Sequence, residues 1–185
     1  MIYELRTYDL KVGRTNEYLG IFETRGVAVI SRYAKPVGFW FNGATGTGRA
    51  DQVNHIWGYE SVEHRMKARG ALYADPFWTR DLVPLVFDTF EVVNGRLMTL
   101  DADFEAGLDK AFAATEPRGP MVARFGPAGA AVPADGALAR FSFFTGAVGE
   151  TLSLTWLVDA DMPGFSGPAG TRQELWHPAR FSWLK

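Results

Sequence analysis

The sequence predicts an α+β fold, and three observations carry that expectation. Period-two and helical-period stretches in residues 1–100 follow the order strand, helix, strand, strand, helix, strand. After Pro117 the chain turns rich in Gly, Pro and strand-forming residues. Two strand-like segments, MIYELRTYDLKVG and QVNHIWGYES, each put chemically mixed side chains on one face. In the first, Glu4, Arg6 and Tyr8 share a side with Ile2. In the second, His55, Trp57 and Tyr59 share a side with Val53. A face that only packs would not need that mixture, so it reads as the lining of a concave site.

Residues 2–10 form the first strand, and Thr15 or Asn16 caps a helix over 17–33 with Tyr18, Phe22, Val29 and Tyr33 on its stripe. Pro36 ends that helix, and VGFWFN (37–42) is a strand. A Gly/Thr loop at 43–48 lacks any phosphate-binding fingerprint. Residues 52–60 form the third strand. Ser61 caps a second helix, which Asp75-Pro76 breaks before a short helical turn at Phe77-Trp78. Residues 86–93 and 96–100 read as strands joined by a tight Asn94-Gly95 hairpin turn. A short helix at 103–114 leads to strands at 121–125, 137–144, 151–160 and 173–184.

The order of the first hundred residues is the split βαβ arrangement of ferredoxin-like domains. Helices cover one face of such a sheet, and the bare apolar face needs a second sheet. The β-rich remainder is the candidate cover. A short echo aligns VNHIWGYE with LSLTWLVD (152–159), which sets Trp57 on Trp156, His55 on Leu154 and Tyr59 on Val158. The organisation expected is a ferredoxin-like unit at 1–98, a helical connector at 99–117 and a β-rich degenerate second half at 118–185.

Composition excludes several classes of function. The 185 residues are 47% hydrophobic and 22% charged, enough to bury a core. A net charge of −2, with no Lys/Arg run longer than two, argues against nucleic-acid binding. With no cysteine there is no thiolate chemistry and no Cys-based metal centre. That absence, and an N-terminus that enters a strand pattern directly, point to a cytoplasmic protein with no signal segment or membrane span. His55, His64 and His177 are too scattered for a metal site, and no local signature supports haem. No cofactor is expected. Fourteen Phe, six Trp and six Tyr suit a pocket for a small hydrophobic or aromatic molecule, or simply an aromatic core.

YELRTYDLKVG (3–13), VGFW (37–40), NHIWGYES (54–61) and ADPFW (74–78) resemble the NIPSNAP family over roughly residues 1–98. That resemblance implies the dimeric α+β barrel superfamily, in which two ferredoxin-like sheets pack face to face around a barrel-like cavity. The superfamily holds cofactor-independent monooxygenases, isomerases, cyclases and dehydratases, as well as haem enzymes. NIPSNAP members mostly lack an assigned reaction. Residues 101–185 match the family pattern poorly.

His55 reads as a general acid or base inside the barrel, oriented by Glu4, or as a core histidine satisfied by a hydrogen bond. Glu4 and Arg6 bind a polar ligand group or close the sheet as an ion pair. Tyr8, Trp57 and Tyr59 contact a ligand or pack, and Trp40 joins them on the substrate side. The expected function is a metal- and flavin-independent small-molecule enzyme of monooxygenase, isomerase, cyclase or lyase type, acting on an aromatic or polyketide-like substrate. His55, Tyr59 and Tyr8 are its catalytic candidates; Glu4, Arg6, Trp57 and Trp40 bind substrate. The other reading is a non-catalytic binding or interaction module. Missing helices over the second half predict a homo-oligomer, most simply a dimer.

Overall fold

A computed structural model describes residues 1–42, 49–114, 119–127, 137–157 and 170–184. The predicted loop at 43–48 and the end of the predicted strand 151–160 lie outside them. The first half runs β1 (Ile2–Leu10), α1 (Thr15–Ile21), a π-helical turn Phe22–Gly26, α2 (Val27–Ile30), β2 (Lys35–Asn42) and β3 (Gln52–Tyr59). It continues with α3 (Val62–Ala74), a second π-helical turn Phe77–Leu82, α4 (Val83–Phe87) and β4 (Phe90–Leu100). The second half has α5 (Glu105–Ala113), β5 (Met121–Pro127), β6 (Ala137–Phe143), β7 (Glu150–Trp156) and β8 (Arg172–Pro178).

The eight strands close into one barrel in the order β1-β3-β2-β8-β5-β7-β6-β4, with every pairing antiparallel. Within each half the strand order is the same: β4-β1-β3-β2, then β8-β5-β7-β6. The seams are short. Trp40–Asn42 pair with Pro178–Trp176, and Met98–Leu100 pair with Phe143–Phe141. Closure removes the free edges a four-stranded sheet would leave.

Two apolar clusters follow from strand alternation. Tyr3, Leu5, Trp40, Ile56, Phe141 and Trp176 belong to the cluster that fills the barrel. Tyr8, Phe39, Val53, Trp57 and Tyr59 belong to the other, between the first sheet and its helices, with Tyr18, Phe22, Leu72 and Trp78. Trp40 is fully buried inside, folded back over Gly38, where a Cβ would lie 2.1 Å from the indole.

Three expectations are corrected here. The Asn94-Gly95 hairpin does not form: β4 is one continuous strand, with Asn94 opposite Thr7 and Gly95 opposite Arg6. Cross-strand pairing with β1 overrides the local turn preference. Gly95 serves another purpose, since a Cβ there would lie 3.2 Å from Glu4 Oε1. Residues 86 and 87 are helical rather than extended. The residues that the internal echo aligns do not share a face. Leu154 faces the barrel interior, whereas His55 faces the helices, and a one-residue shift exchanges the faces of a strand.

Candidate functional site

The mixed face of β1 and β3 forms a connected cluster, but not inside the barrel. Alternation fixes which side chains share a face and leaves open which face meets the second sheet. The interior takes Tyr3, Leu5, Thr7, Asn54 and Ile56, the more apolar set overall. The charged and aromatic set lies beneath the helices, where α3 supplies partners.

Glu4 is wholly buried. Its Oε1 accepts from Arg6 Nη1 at 2.9 Å and Arg65 Nη2 at 2.6 Å, and its Oε2 accepts from Arg65 Nε at 3.0 Å. Burial alone would raise the Glu4 pKa, but the Arg65 hydrogen bonds and the Arg6 charge outweigh it and hold the carboxyl below its usual value. Arg69 adds a third guanidinium to this neighbourhood. One carboxylate among three arginines leaves a net positive surplus. Arg65 and Arg69 were not anticipated; their i,i+4 spacing on the predicted helix was the available signal.

Arg6 Nε also donates to Tyr8 Oη at 2.7 Å. The Tyr8 phenol therefore accepts from Arg6, and its own O–H donates to no described residue. Both residues line a cleft of about 250 Å³ between the sheet and the helices, walled by Phe22, Trp78, Val86 and Phe90. Tyr18 lines it as well, and its buried hydroxyl has no hydrogen-bond partner among the described residues. Burial, then the nearby Tyr8, raise the Tyr18 pKa well above its usual value, so the phenol stays protonated. Phe22 takes its place through the π-helical turn: its ring packs on Gly26, where a Cβ would come within 2.7 Å.

His55 lies directly behind Tyr8, ring centroids 4.8 Å apart and edge-on, and stacks on Phe39 at 4.7 Å. Arg6, not Glu4, stands opposite it across the strand pair. The sequence expectation that Glu4 orients His55 is thereby corrected: Glu4 is taken up by arginines, and His55 Nδ1 accepts instead from Trp57 Nε1. The proton of the neutral ring then sits on Nε2, which is buried without a partner among the described residues. Burial first, then Arg6 and Arg69, push the His55 pKa well below its usual value. The imidazole is neutral across the physiological range. Tyr59 is buried on the same face, its pKa raised to about 12 by burial and then Glu4. Trp57 edges against Trp183 at 6.0 Å. Trp40 is the one candidate placed apart, inside the barrel.

The other histidines take structural positions. His64 accepts from the Glu60 N–H through Nδ1, and its own N–H donates to the Ser61 cap. His177 stacks on Phe41 at the β2–β8 seam. Among the described residues no group of His, Asp or Glu has the spacing to hold a metal ion, and no helix is long and apolar enough to cross a membrane.

With this geometry established, comparison with known proteins places the chain. The NIPSNAP family model matches residues 3–88. Mouse protein NipSnap homolog 3B is 39% identical over 83 residues, which cover 44% of this chain and 32% of the mouse protein. The match therefore spans about a third of that relative's length. A crystal structure of a NIPSNAP family protein with unknown function from Agrobacterium tumefaciens is 33% identical, covers 53% of this chain and 86% of its own, and superposes with a TM-score of 0.50. A crystal structure of a putative monooxygenase from Lactobacillus acidophilus matches 96% of this chain and 93% of its own, with a TM-score of 0.58 at 10% identity. At that identity the likeness is one of fold alone. The Agrobacterium relative, 33% identical and covered over 86% of its length, together with the family-model match to the first sheet and its helices, shows that the chain belongs to the NIPSNAP family.

Proposed function

We propose that the cleft between the first sheet and its helices binds a small aromatic or polyketide-like molecule by an acidic or carbonyl oxygen, and that the protein acts on it without metal or flavin. The observation that carries this reading is the Tyr8 hydroxyl. Its oxygen is held by Arg6 and its O–H is unspent at the base of an apolar cleft. Tyr8 donates to the ligand oxygen, the Arg6 guanidinium stabilises negative charge developing there, the arginine surplus favours an enolate-like state, and solvent water accepts the proton that leaves carbon. Tyr18 is a second donor within the same walls. His55, neutral and packed edge-on against Tyr8, positions that ring. Proton transfers of this kind belong to the isomerase, cyclase and lyase classes.

One observation favours a second reading, binding without turnover: among the described residues no carboxylate or imidazole lines the cleft to serve as a base. A single substrate separates the two. 2-Tetralone, an aromatic ketone, is incubated with the full chain in D2O and followed by NMR. Protein-dependent deuteration next to the carbonyl, lost in Tyr8→Phe, supports the enzyme. Saturable binding without exchange supports the binding module, and neither binding nor exchange overturns the site. Self-association belongs to the same reading. Exposed Phe87, Val92 and Val93 supply an apolar surface beside the cleft, and a strict monomer by light scattering at micromolar concentration would remove it.

A further inference from the structure

The barrel has a second cavity, of about 420 Å³, at the end where β1 finishes and β8 begins. That volume falls within the range of about 300–1,000 Å³ common to small-molecule sites. Thr7, Asn54 and Arg96 reach it from the first half, and Phe125, Arg172 and Glu174 from the second. It exists only because the two sheets close on each other, and it lies on the opposite face of the first sheet from Tyr8.

Its floor is a hydrogen-bonded polar chain in an otherwise apolar barrel. Thr7 Oγ1 donates to Asn54 Oδ1 at 2.9 Å, and Asn54 Nδ2 to Asn42 Oδ1 at 3.3 Å. Asn42 Nδ2 donates to Gln52 Oε1 at 3.1 Å, and Gln52 Nε2 to Asp9 Oδ1 at 2.7 Å. Trp176 Nε1 donates to Glu174 Oε2 at 2.9 Å. Asn42, Asn54 and Glu174 are each at most 5% exposed. Three buried polar side chains in a barrel core are costly unless hydrogen-bonded, and this chain of contacts satisfies them while leaving a polar surface at the cavity.

The charges here are unevenly matched. Asp9 is paired with Arg49 at 3.1 Å, and Glu174 with Arg172 at 3.0 Å. Arg96 donates no hydrogen bond among the described residues, and its one ion pair, to Glu150, is 3.8 Å long. The guanidinium lies over Phe143 at 4.5 Å and Phe125 at 5.4 Å. Gly146, at φ +74°, presses on its stem: a Cβ there would sit 2.9 Å from Arg96 Cγ. The fork is thus fixed in place with its donors unspent. Burial and the adjacent Arg172 lower its pKa, so a bound anion would relieve this environment.

We infer that this end of the barrel is a second binding site, for a small polar carboxylate. The carboxylate meets the Arg96 fork, and hydroxyl groups of the ligand meet Thr7 and Asn54. Bidentate guanidinium–carboxylate geometry supplies the specificity.

The test titrates L-malate into the full chain by calorimetry at constant ionic strength, with chloride as the control salt. Saturable binding is expected, weakened at least about tenfold by Arg96→Gln, weakened less by Arg96→Lys, and unchanged by Tyr8→Phe. Equal affinity in Arg96→Gln, or a response to chloride alone, overturns the inference. Should Arg96→Gln fail to fold, the wild-type protein still decides by NMR. Malate-induced amide shifts confined to Thr7, Asn54 and Arg172 and their neighbours support the site. Shifts that are absent at tens of millimolar, or scattered over the surface, overturn it.

Discussion

The two halves of the barrel share a strand order and differ in what lies on their outer faces. In the first half that face carries Glu4, Arg6, Tyr8, His55 and Tyr59, roofed by helices. In the second half the matching face carries Arg124, Arg140, Ser142, Ser153 and Thr155: Arg124 donates to Thr155, Arg140 and Ser142 donate to Asp101, and Ser153 is buried with no partner among the described residues. The inner faces are alike in kind: Leu5, Ile56 and Met98 meet Phe141, Leu152 and Leu154 in one core. Barrel closure therefore depends on inner-face residues from both halves, while the helix-covered cleft depends on the outer face of one. A half can lose its outer aromatic cluster and still complete the barrel, because that cluster takes no part in sheet-on-sheet packing.

Breaking the buried ion cluster should expose this difference most sharply. Glu4→Gln removes the only carboxylate between Arg6 and Arg65, whose side chains are 12% and 25% exposed. Two guanidinium groups then share a low-dielectric site without a counter-charge. Loss of one partner of a buried pair costs about 3–5 kcal/mol, read as a drop in the urea midpoint at unchanged slope. A loss below about 1 kcal/mol would show that solvent already screens the cluster.

The next effect is pH-dependent. Folding favours neutral His55, so the unfolded chain takes up a proton first as pH falls. Stability from this group is complete above the unfolded-state value of 6.5 and declines below it toward the much lower folded value. The slope should approach about 1.4 kcal/mol per pH unit. Glu4, whose folded pKa is depressed, adds its own loss only at more acid pH, below its reference value of 4.5. His55→Gln should flatten the urea-midpoint profile between about pH 6.5 and 5. Parallel profiles for the two proteins would mean His55 protonates in the folded state. Leu154, at the aligned position of the second half, carries no titratable group.

Much of this contrast was legible in the sequence. Alternation in YELRTYDL and VNHIWGYE gathered Glu4, Arg6, Tyr8, His55 and Tyr59 onto shared faces, and the structure brings them together. The order of periodic segments gave the first sheet, and the composition change after Pro117 gave a second one. What alternation could not supply was the side: a strand's two faces are equivalent until something covers one of them. The mixed face was therefore assigned to the barrel, although three arginine and tyrosine partners wait on the helices. Asn94-Gly95 failed for a related reason. Its local signal is a turn, but β1 pairs with β4 on both sides of Asn94-Gly95, from Val92 to Met98, and Gly95 is needed where Glu4 and Arg6 pass. Arg65 and Arg69 were missed because a cation on a helix surface looks solvated until the buried carboxylate beneath it is known.

The smallest expected effect tests the quieter half. Arg124 lies on the outer face of β5 and donates one long hydrogen bond, 3.3 Å, from Nη1 to Thr155 Oγ1 on β7. No carboxylate faces it among the pairs described, so Arg124→Ala leaves no buried charge behind. Thr155 keeps water as an alternative partner. Surface changes of this type stay within about 0.5 kcal/mol, an order below the loss expected at Glu4, and the urea midpoint should barely move. A destabilisation above about 2 kcal/mol would mean that Arg124 is energetically coupled to the covered part of that face, around Val122 and Ser153. The asymmetry between the halves would then reside in which residues do the covering, and a partner surface would have to be sought over β5 and β7.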